Sequence, residues 1–307
     1  MDVYLSSPRG FCAGVVRAVD IVEIALERFG PPVYVKHQIV HNPHVVKALE
    51  DKGAVTVENV DEIPVGSNVI FSAHGSAPGD FKQAKERNLN VIDATCPLVT
   101  RVHNEAKKYA REGKKIVLVG HRGHQEVVGT MGQSDMVLLD EREGLQLPAW
   151  DPDESVAVLT QTTLSVDDTA KSIAHVREKF PDALIRNDIC YATTNRQEAL
   201  KVVAERVDVV LVIGAQNSSN CQRLREVAQA SGVPAYLVNG PDEIDMTWFE
   251  GMARVGITSG ASTPGEMVEA VIDRLNPGNV IPVGEREEDI EFVLPRQLRD
   301  FAAARDR

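Results

Sequence analysis

The chain has 307 residues, 43% of them hydrophobic and 25% charged, with a formal net charge of −12. This is the profile of a globular chain long enough for two or three cores, and its sign speaks against nucleic acid or an anionic membrane surface as a partner, since both need a dense cationic face. No apolar run approaches the roughly 18 residues of a membrane span, and "MDVYLSSPRG" lacks the basic start and apolar stretch of a signal peptide, so a cytoplasmic location is expected.

The elements follow in chain order. A short apolar strand, "VYL" at 3–5, leads into "PRGFCAG" at 8–14. There Cys12 sits in a Pro/Gly turn at the mouth of a helix, "GVVRAVDIVEIALERF" at 14–29. Strands are expected in "PPVYVK" (31–36) and "NVIFSAH" (68–74). Cys96 precedes a second helix, "LVTRVHNEAKKYARE" (98–112). Then come strands in "KKIVLVGH" (114–121) and "SVAVLTQT" (155–162), and a helix in "SVDDTAKSIAHVREKF" (165–180). Cys190 precedes "NRQEALKVVAERV" (195–207), followed by "DVVLVIGAQ" (208–216), "NCQRLREVAQASG" (220–232) and "ARVGITSG" (253–260). The apolar runs are short and nearly continuous, as in parallel strands covered on both faces. Their alternation with helices predicts an α/β fold.

A repeat lies in the spacing. His41, His124 and Asn220 follow Cys12, Cys96 and Cys190 by 29, 28 and 30 residues. A second polar loop, holding His74, Thr162 or Ser262, follows the same cysteines by 62, 66 and 72 residues. Periods of this kind mark repeated supersecondary units. We expect three pseudo-threefold-related α/β modules at 13–96, 97–189 and 190–277. Segments 1–12 and 278–307 would close the assembly. Such a trefoil gathers the polar loops at the strands' carboxyl ends, where open α/β sheets bind ligands.

Free cysteine is often merely buried. Three at matching helix starts read better as metal-binding thiolates, because the backbone N–H groups and dipole of a helix N-terminus favour the anion. No C-x-x-C pair occurs, which disfavours a zinc finger, although a Cys₃ zinc site stays open as a reading. Soft ligands suit a [4Fe–4S] cubane. Three ligands for four irons leave one iron able to act as a Lewis acid and to pass electrons. Cys221 falls outside the register and reads as a structural thiol.

His41, His74, His124, Thr162, Ser218, Ser219, Asn220 and Ser262 are short donors near strand ends. Singly, each could be a turn or helix cap. Together they resemble a cage for a phosphate or diphosphate, with helix-start N–H groups adding to it. The absence of GxxxxGK[ST] and of GxGxxG after a strand argues against triphosphate and dinucleotide chemistry. Glu126, two residues after His124, would have its proton affinity raised by a nearby anion and could serve as a proton donor. His37, His44 and His121 read as scaffold, and Thr193, Thr194 and Asn195 as caps.

The strings "PRGFCAGV", "VHN", "SAHG", "DATCPLV", "GHRGHQEVVGTMGQ", "TQTTLSVDDT", "NDICYATTNRQEA", "NSSN" and "SGASTP" resemble the 4-hydroxy-3-methylbut-2-enyl diphosphate reductase (LytB-type) family over nearly the whole chain. The resemblance implies a [4Fe–4S] cluster on Cys12, Cys96 and Cys190 within a trefoil. It implies that His41, His74, His124, Ser218, Ser219, Asn220 and Ser262 hold the diphosphate and the allylic alcohol, with Thr162 near the hydroxyl and Glu126 as proton source. The implied reaction is the two-electron reductive dehydroxylation that ends the methylerythritol phosphate route to isoprenoids. No flavin or nicotinamide motif is visible, so electrons would come from an external ferredoxin or flavodoxin. A quinolinate-synthase-like enzyme would share the cysteines and modules, but its carboxylate substrate fits the loop strings less well. An iron–sulfur sensor would carry a helix-turn-helix or a basic face, and neither is present. The tail 286–307 either covers the site or closes a sheet.

Overall fold

Each run expected to be a strand contains a short parallel strand, as seen in a computed structural model that describes residues 1–284, 286 and 288–305. The chain divides into two compact units. One comprises Met1–Val16, His41–Val45 and Cys190–Glu291; the other Arg17–Val40, Val46–Ile189 and Phe292–Arg307.

The second unit holds two sheets. The first contains β2 (Val33–Lys36), β3 (Ala54–Val57), β4 (Asn68–Phe71) and β5 (Asn90–Asp93), in the order β3-β2-β4-β5. The other contains β6 (Lys115–Val119), β7 (Val137–Leu139), β8 (Val156–Thr160) and β9 (Leu184–Ile185), in the order β7-β6-β8-β9. The first unit holds one sheet, β11-β10-β12-β1-β13. It is formed by β1 (Asp2–Ser6), β10 (Val209–Ile213), β11 (Ala235–Val238), β12 (Arg254–Ser259) and β13 (Asn279–Val283). All pairings are parallel, with Val3 opposite Val255 and Leu5 opposite Ile257 in the β1–β12 register.

The strands are continuous apolar runs because both of their faces are buried. In β6 and β8, Ile116, Leu118, Ala157 and Leu159 enter one core while Val117, Val119, Val156 and Val158 enter another. Alternate residues point to opposite faces of a strand. Each fully buried aliphatic side chain contributes roughly 1.5–3 kcal/mol.

The helices are α1 (Ala13–Phe29), α2 (Pro43–Asp51), α3 (Pro78–Glu86), α4 (Pro97–Arg111), α5 (Gln125–Met131), α6 (Val166–Lys179), α7 (Tyr191–Ala204), α8 (Ser219–Ala230), α9 (Gly265–Leu275) and α10 (Arg296–Arg305). α4 shows how the sequence specifies one of them. Pro97 occupies the first position, where its missing N–H costs nothing. Val99, Val102, Ala106 and Tyr109 are buried at helical spacing, and Lys108 and Arg111 lie in the last turn, facing the negative end of the dipole.

The repeat is topological. β2, β6 and β10 take the same place in their sheets, as do β4, β8 and β12. The fourth place is filled by β5, β9 and β1. Each of these three strands runs directly into a cysteine and then a helix: Cys96 and α4, Cys190 and α7, Cys12 and α1. The N-terminal strand thus joins the sheet of the last repeat, and β13 extends that sheet by one strand. Of the tail 286–307, residues 287, 306 and 307 lie outside the described residues.

Candidate functional site

In the first unit, Cys12 and Cys190 each stand at a helix start. The Cys12 carbonyl accepts the N–H groups of Val15 and Val16 at 3.0 Å, and its own N–H donates to Ala261 at 3.1 Å. Cys190 caps α7: its Sγ accepts the Thr193 N–H at 3.4 Å and lies 3.2 Å from Thr193 Oγ1. Tyr191 relates the two cysteines. Its hydroxyl accepts the Ala13 N–H at 3.2 Å. Burial pushes that phenol up to about 12, and the charges of Cys12 and Cys190 add to the effect.

The other predicted residues of this unit lie on loops at the ends of β10 and β12 and before α2. Ser218 caps α8 by accepting the Cys221 N–H, and Ser219 opens the helix. Asn220 is 5% exposed, and neither atom of its side-chain amide has a hydrogen-bond partner among the described residues. Such an orphaned group is costly unless a ligand completes it. The Ser262 hydroxyl donates to the His41 carbonyl at 3.1 Å, which ties these two loops together. Asn42, beside His41, caps α2 through the N–H groups of His44 and Val45.

In the second unit, Cys96 stands at the N-cap position of α4, and its N–H donates to the Ala73 carbonyl at 3.0 Å. The loop that holds His74 is therefore bonded to Cys96, as the loop that holds Ser262 is bonded to Cys12. His74 Nδ1 lies 3.3 Å from Ser72 Oγ. Its ring meets that of His124 edge to face, with centroids 6.0 Å apart. His124 caps α5 by accepting the Glu126 N–H at Nδ1, at 3.2 Å.

Glu126 is 3% exposed. The Thr162 N–H donates to its Oε1 at 2.6 Å and the Thr162 hydroxyl to its Oε2 at 2.8 Å. Burial pushes its carboxyl up to about 7; the two Thr162 bonds oppose the shift, and the charge of Asp188 adds to it. A buried acid held in this range can give and take a proton near neutral pH.

By residue type, cysteine thiolates are the soft donors that an iron–sulfur cluster takes. Cys12, Cys96 and Cys190 form no disulfide and are partly exposed, and each lies at a helix N-terminus. Cys221 does not fit. It is fully buried beneath Gly214 and Gly260, and burial pushes its thiol up to about 11. His121, Asp140 and Glu141 also group their ligand atoms within 4.8 Å. Asp140 there already accepts the Arg122 and Arg142 N–H groups and the Arg142 guanidinium, so that cluster is internally satisfied.

Three roles depart from expectation. Asn195 is no cap; its amide donates to Glu288 at 2.9 Å. Tyr191 was not foreseen, because a tyrosine one residue after a cysteine carries no signal until the fold brings Ala13 to its hydroxyl. Asp188 was not foreseen either. It is buried, its carboxylate accepts the Thr160 N–H at 3.4 Å, its own N–H donates to the Thr160 hydroxyl at 2.8 Å, and its carboxyl is pushed up to about 6, chiefly by burial.

With this geometry in hand, similarity to known proteins is informative. A profile of the LytB protein family matches residues 3–276. The chain is 50% identical to the 4-hydroxy-3-methylbut-2-enyl diphosphate reductase of Azotobacter vinelandii, over 97% of this chain and 98% of that one. It is 49% identical to that of Rhodopirellula baltica, over 99% and 97%. Among solved structures, the E-1-hydroxy-2-methyl-but-2-enyl-4-diphosphate reductase of Plasmodium falciparum matches with a TM-score of 0.93 at 36% identity, covering 99% of both chains.

Proposed function

This chain belongs to the LytB family of 4-hydroxy-3-methylbut-2-enyl diphosphate reductases, and from that premise we propose which of its residues carry the reaction and how. The family's reaction is the terminal step of the non-mevalonate route, and this chain performs it. Its balance is simple: an allylic C–OH plus two electrons and two protons gives an allylic C–H and water.

Cys12, Cys96 and Cys190 hold a [4Fe–4S] cluster in this reading. When bound, that group supplies single electrons and a Lewis-acidic iron that no protein residue ligates. The protein's part is binding, orientation and proton delivery. His41, Ser218, Ser219, Asn220 and Ser262, with His74 and His124, take the diphosphate. The buried Asn220 amide, lacking a partner of its own, supports that role. Thr162 orients the substrate hydroxyl and Glu126 gives the proton that lets it depart as water. Fixing these groups before substrate arrives removes much of the entropy cost of the reaction. Electrons come from an external ferredoxin- or flavodoxin-type donor. The modules 13–96, 97–189 and 190–277, with 1–12 and 278–307 as closing segments, are the units of this assembly.

One observation carries the reading: a buried carboxyl gripped at both oxygens by Thr162, beside His124, whose ring in turn meets that of His74. The test is an anaerobic iron and sulfide count with an EPR spectrum, taken with and without the diphosphate, followed by turnover with a chemical reductant. Four irons and four sulfides, a spectrum altered by substrate, and reduction of the diphosphate are expected. Zinc in place of iron would remove the cluster from the assignment. A cluster with no turnover of the diphosphate would remove the substrate.

A further inference from the structure

Three arginines stand at matching places after the cysteines. Arg17, Arg101 and Arg196 follow Cys12, Cys96 and Cys190 by five, five and six residues, on α1, α4 and α7. Each reaches the segment that enters the next cysteine. Arg17 Nη1 donates to the carbonyls of Ala94 and Thr95, both at 3.1 Å, the two residues before Cys96. Arg101 Nη2 pairs with Asp188, two residues before Cys190, at 3.3 Å. Arg196 Nη2 donates to the carbonyl of Gly10, two residues before Cys12, at 2.7 Å. The set closes on itself. The Cys12 helix holds the entry to Cys96, the Cys96 helix holds the entry to Cys190, and the Cys190 helix holds the entry to Cys12.

Burial grades the three. Arg196 is 0% exposed and Arg17 is 9%, whereas the Arg101 side chain is 51% exposed. A buried guanidinium persists only if it is paired and hydrogen-bonded. The segment after β13 supplies further acceptors to the two buried ones. Glu288 meets Arg196 Nη1 at 3.0 and 3.2 Å and accepts the Asn195 amide at 2.9 Å. The Val293 carbonyl accepts Arg17 Nε at 2.9 Å. Each arginine serves these acceptors from different nitrogens of its planar fork; a lysine, a single point donor at the end of a flexible stem, does not reproduce that spacing.

We propose that Arg17, Arg101 and Arg196 are positioning residues that clamp the three cysteine entries in a cycle, and that the C-terminal segment straps the two buried clamps shut. The proposal rests on the reading of the three cysteines as cluster ligands. Residues that orient metal ligands without touching the metal control how firmly it is held. Arg17 is also a fixed cation electrostatically coupled to Cys96.

The test is anaerobic release of iron to a ferrous chelator from the reconstituted protein and its variants, with each apoprotein's melting temperature measured alongside. Arg196→Met and Arg17→Met are expected to release iron roughly 10- to 100-fold faster than wild type. Arg101→Met is expected to show a smaller effect. Glu288→Gln, which keeps the shape of the strap but loses its charge, falls between, and it keeps the test open if a buried arginine variant does not fold. Arg17→Lys separates clamp from charge. Its iron release is fast, but its reduction potential by EPR titration stays near wild type, whereas that of Arg17→Met falls. Wild-type release rates in Arg17→Met and Glu288→Gln would overturn the proposal, as would acceleration that only tracks a lost apoprotein melting temperature. Cys96→Ser is the reference. If it keeps its iron, the ligand reading has failed. If it loses iron while the arginine variants do not, only the clamp has failed.

Discussion

Thr162 holds Glu126 by both carboxylate oxygens, through its backbone N–H and its hydroxyl. The grip fixes the carboxyl and offsets part of the desolvation that burial imposes, so the group settles near 7 rather than higher. A carboxyl with that affinity keeps both protonation states populated at neutral pH, the condition under which general acid catalysis is most effective.

Glu126→Gln preserves shape and can still accept the Thr162 N–H, but it cannot release a proton. Its kcat is expected to fall by about 10²- to 10⁴-fold, with substrate affinity in a calorimetric titration nearly unchanged. Equal loss of binding and turnover would make Glu126 a positioning group instead. The wild-type kcat should be level at acid pH and decline as pH rises through about 7, as the proposed role of Glu126 as proton source requires. Thr162→Val removes the hydroxyl donor that lowers the Glu126 value, so its declining limb should move to higher pH.

The same carboxyl makes stability depend on pH. Its ordinary value is 4.5 and its folded value about 7, so between these limits the folded chain binds more protons than the unfolded one. The associated stabilisation is fully present below pH 4.5 and is lost as pH rises through 7, a change of about 3 kcal/mol. Glu126→Gln abolishes this titration. Its urea midpoint should exceed that of wild type at pH 8 and match it near pH 4. Parallel curves at all pH values would show that Glu126 titrates normally.

Much of this was legible in the sequence. The strands with both faces buried announce themselves as continuous apolar runs, and the cysteine spacing revealed the repeat because each cysteine opens a helix at the same place in its sheet. The edge strands β3, β5, β7, β9, β11 and β13 were not foreseen. They run only two to five residues, too short for a period to show. α5 has seven residues and is held by the His124 cap rather than by an apolar stripe. Nor could the sequence show that β1 joins the sheet of the last repeat, because that pairing is between residues some 250 positions apart and depends on the whole chain. The candidate site residues could be picked out as residue types near strand ends. The contacts that tune them, such as the Tyr191 hydroxyl on Ala13, come only with the fold.

Asn220 should show a trade between stability and function. Its buried amide has no partner among the described residues, and an unsatisfied buried polar group costs about 1–3 kcal/mol. Asn220→Leu replaces it with an apolar group of similar size. The variant should melt at a higher temperature than wild type in the absence of substrate and bind the diphosphate at least tenfold more weakly, about 1.4 kcal/mol. A variant that melts lower and binds normally would show that the amide is satisfied within the protein.

Gly129 offers a test of how finely the His74 loop is seated on α5. A Cβ at Gly129 would lie 2.9 Å from the Gly75 carbonyl oxygen and 3.1 Å from its carbon. Both are backbone atoms, so the loop rather than a flexible side chain must yield. The loop has little room. Gly75 sits at φ +83°, which disfavours any replacement there, and the His103 ring packs against its other side. Burial holds that ring neutral, its value pushed down to about 4. Gly129→Ala should therefore cost about 1–3 kcal/mol through overpacking and displace His74 from its edge-to-face contact with His124, raising KM more than it lowers kcat. Gly265→Ala is the matched control. It opens α9, its Cβ would meet nothing within 4 Å, and the better helix propensity of alanine should leave it neutral or more stable by up to about 1 kcal/mol. If both variants behave alike in thermal melts and in KM, the close approach of α5 to the loop plays no part in seating His74.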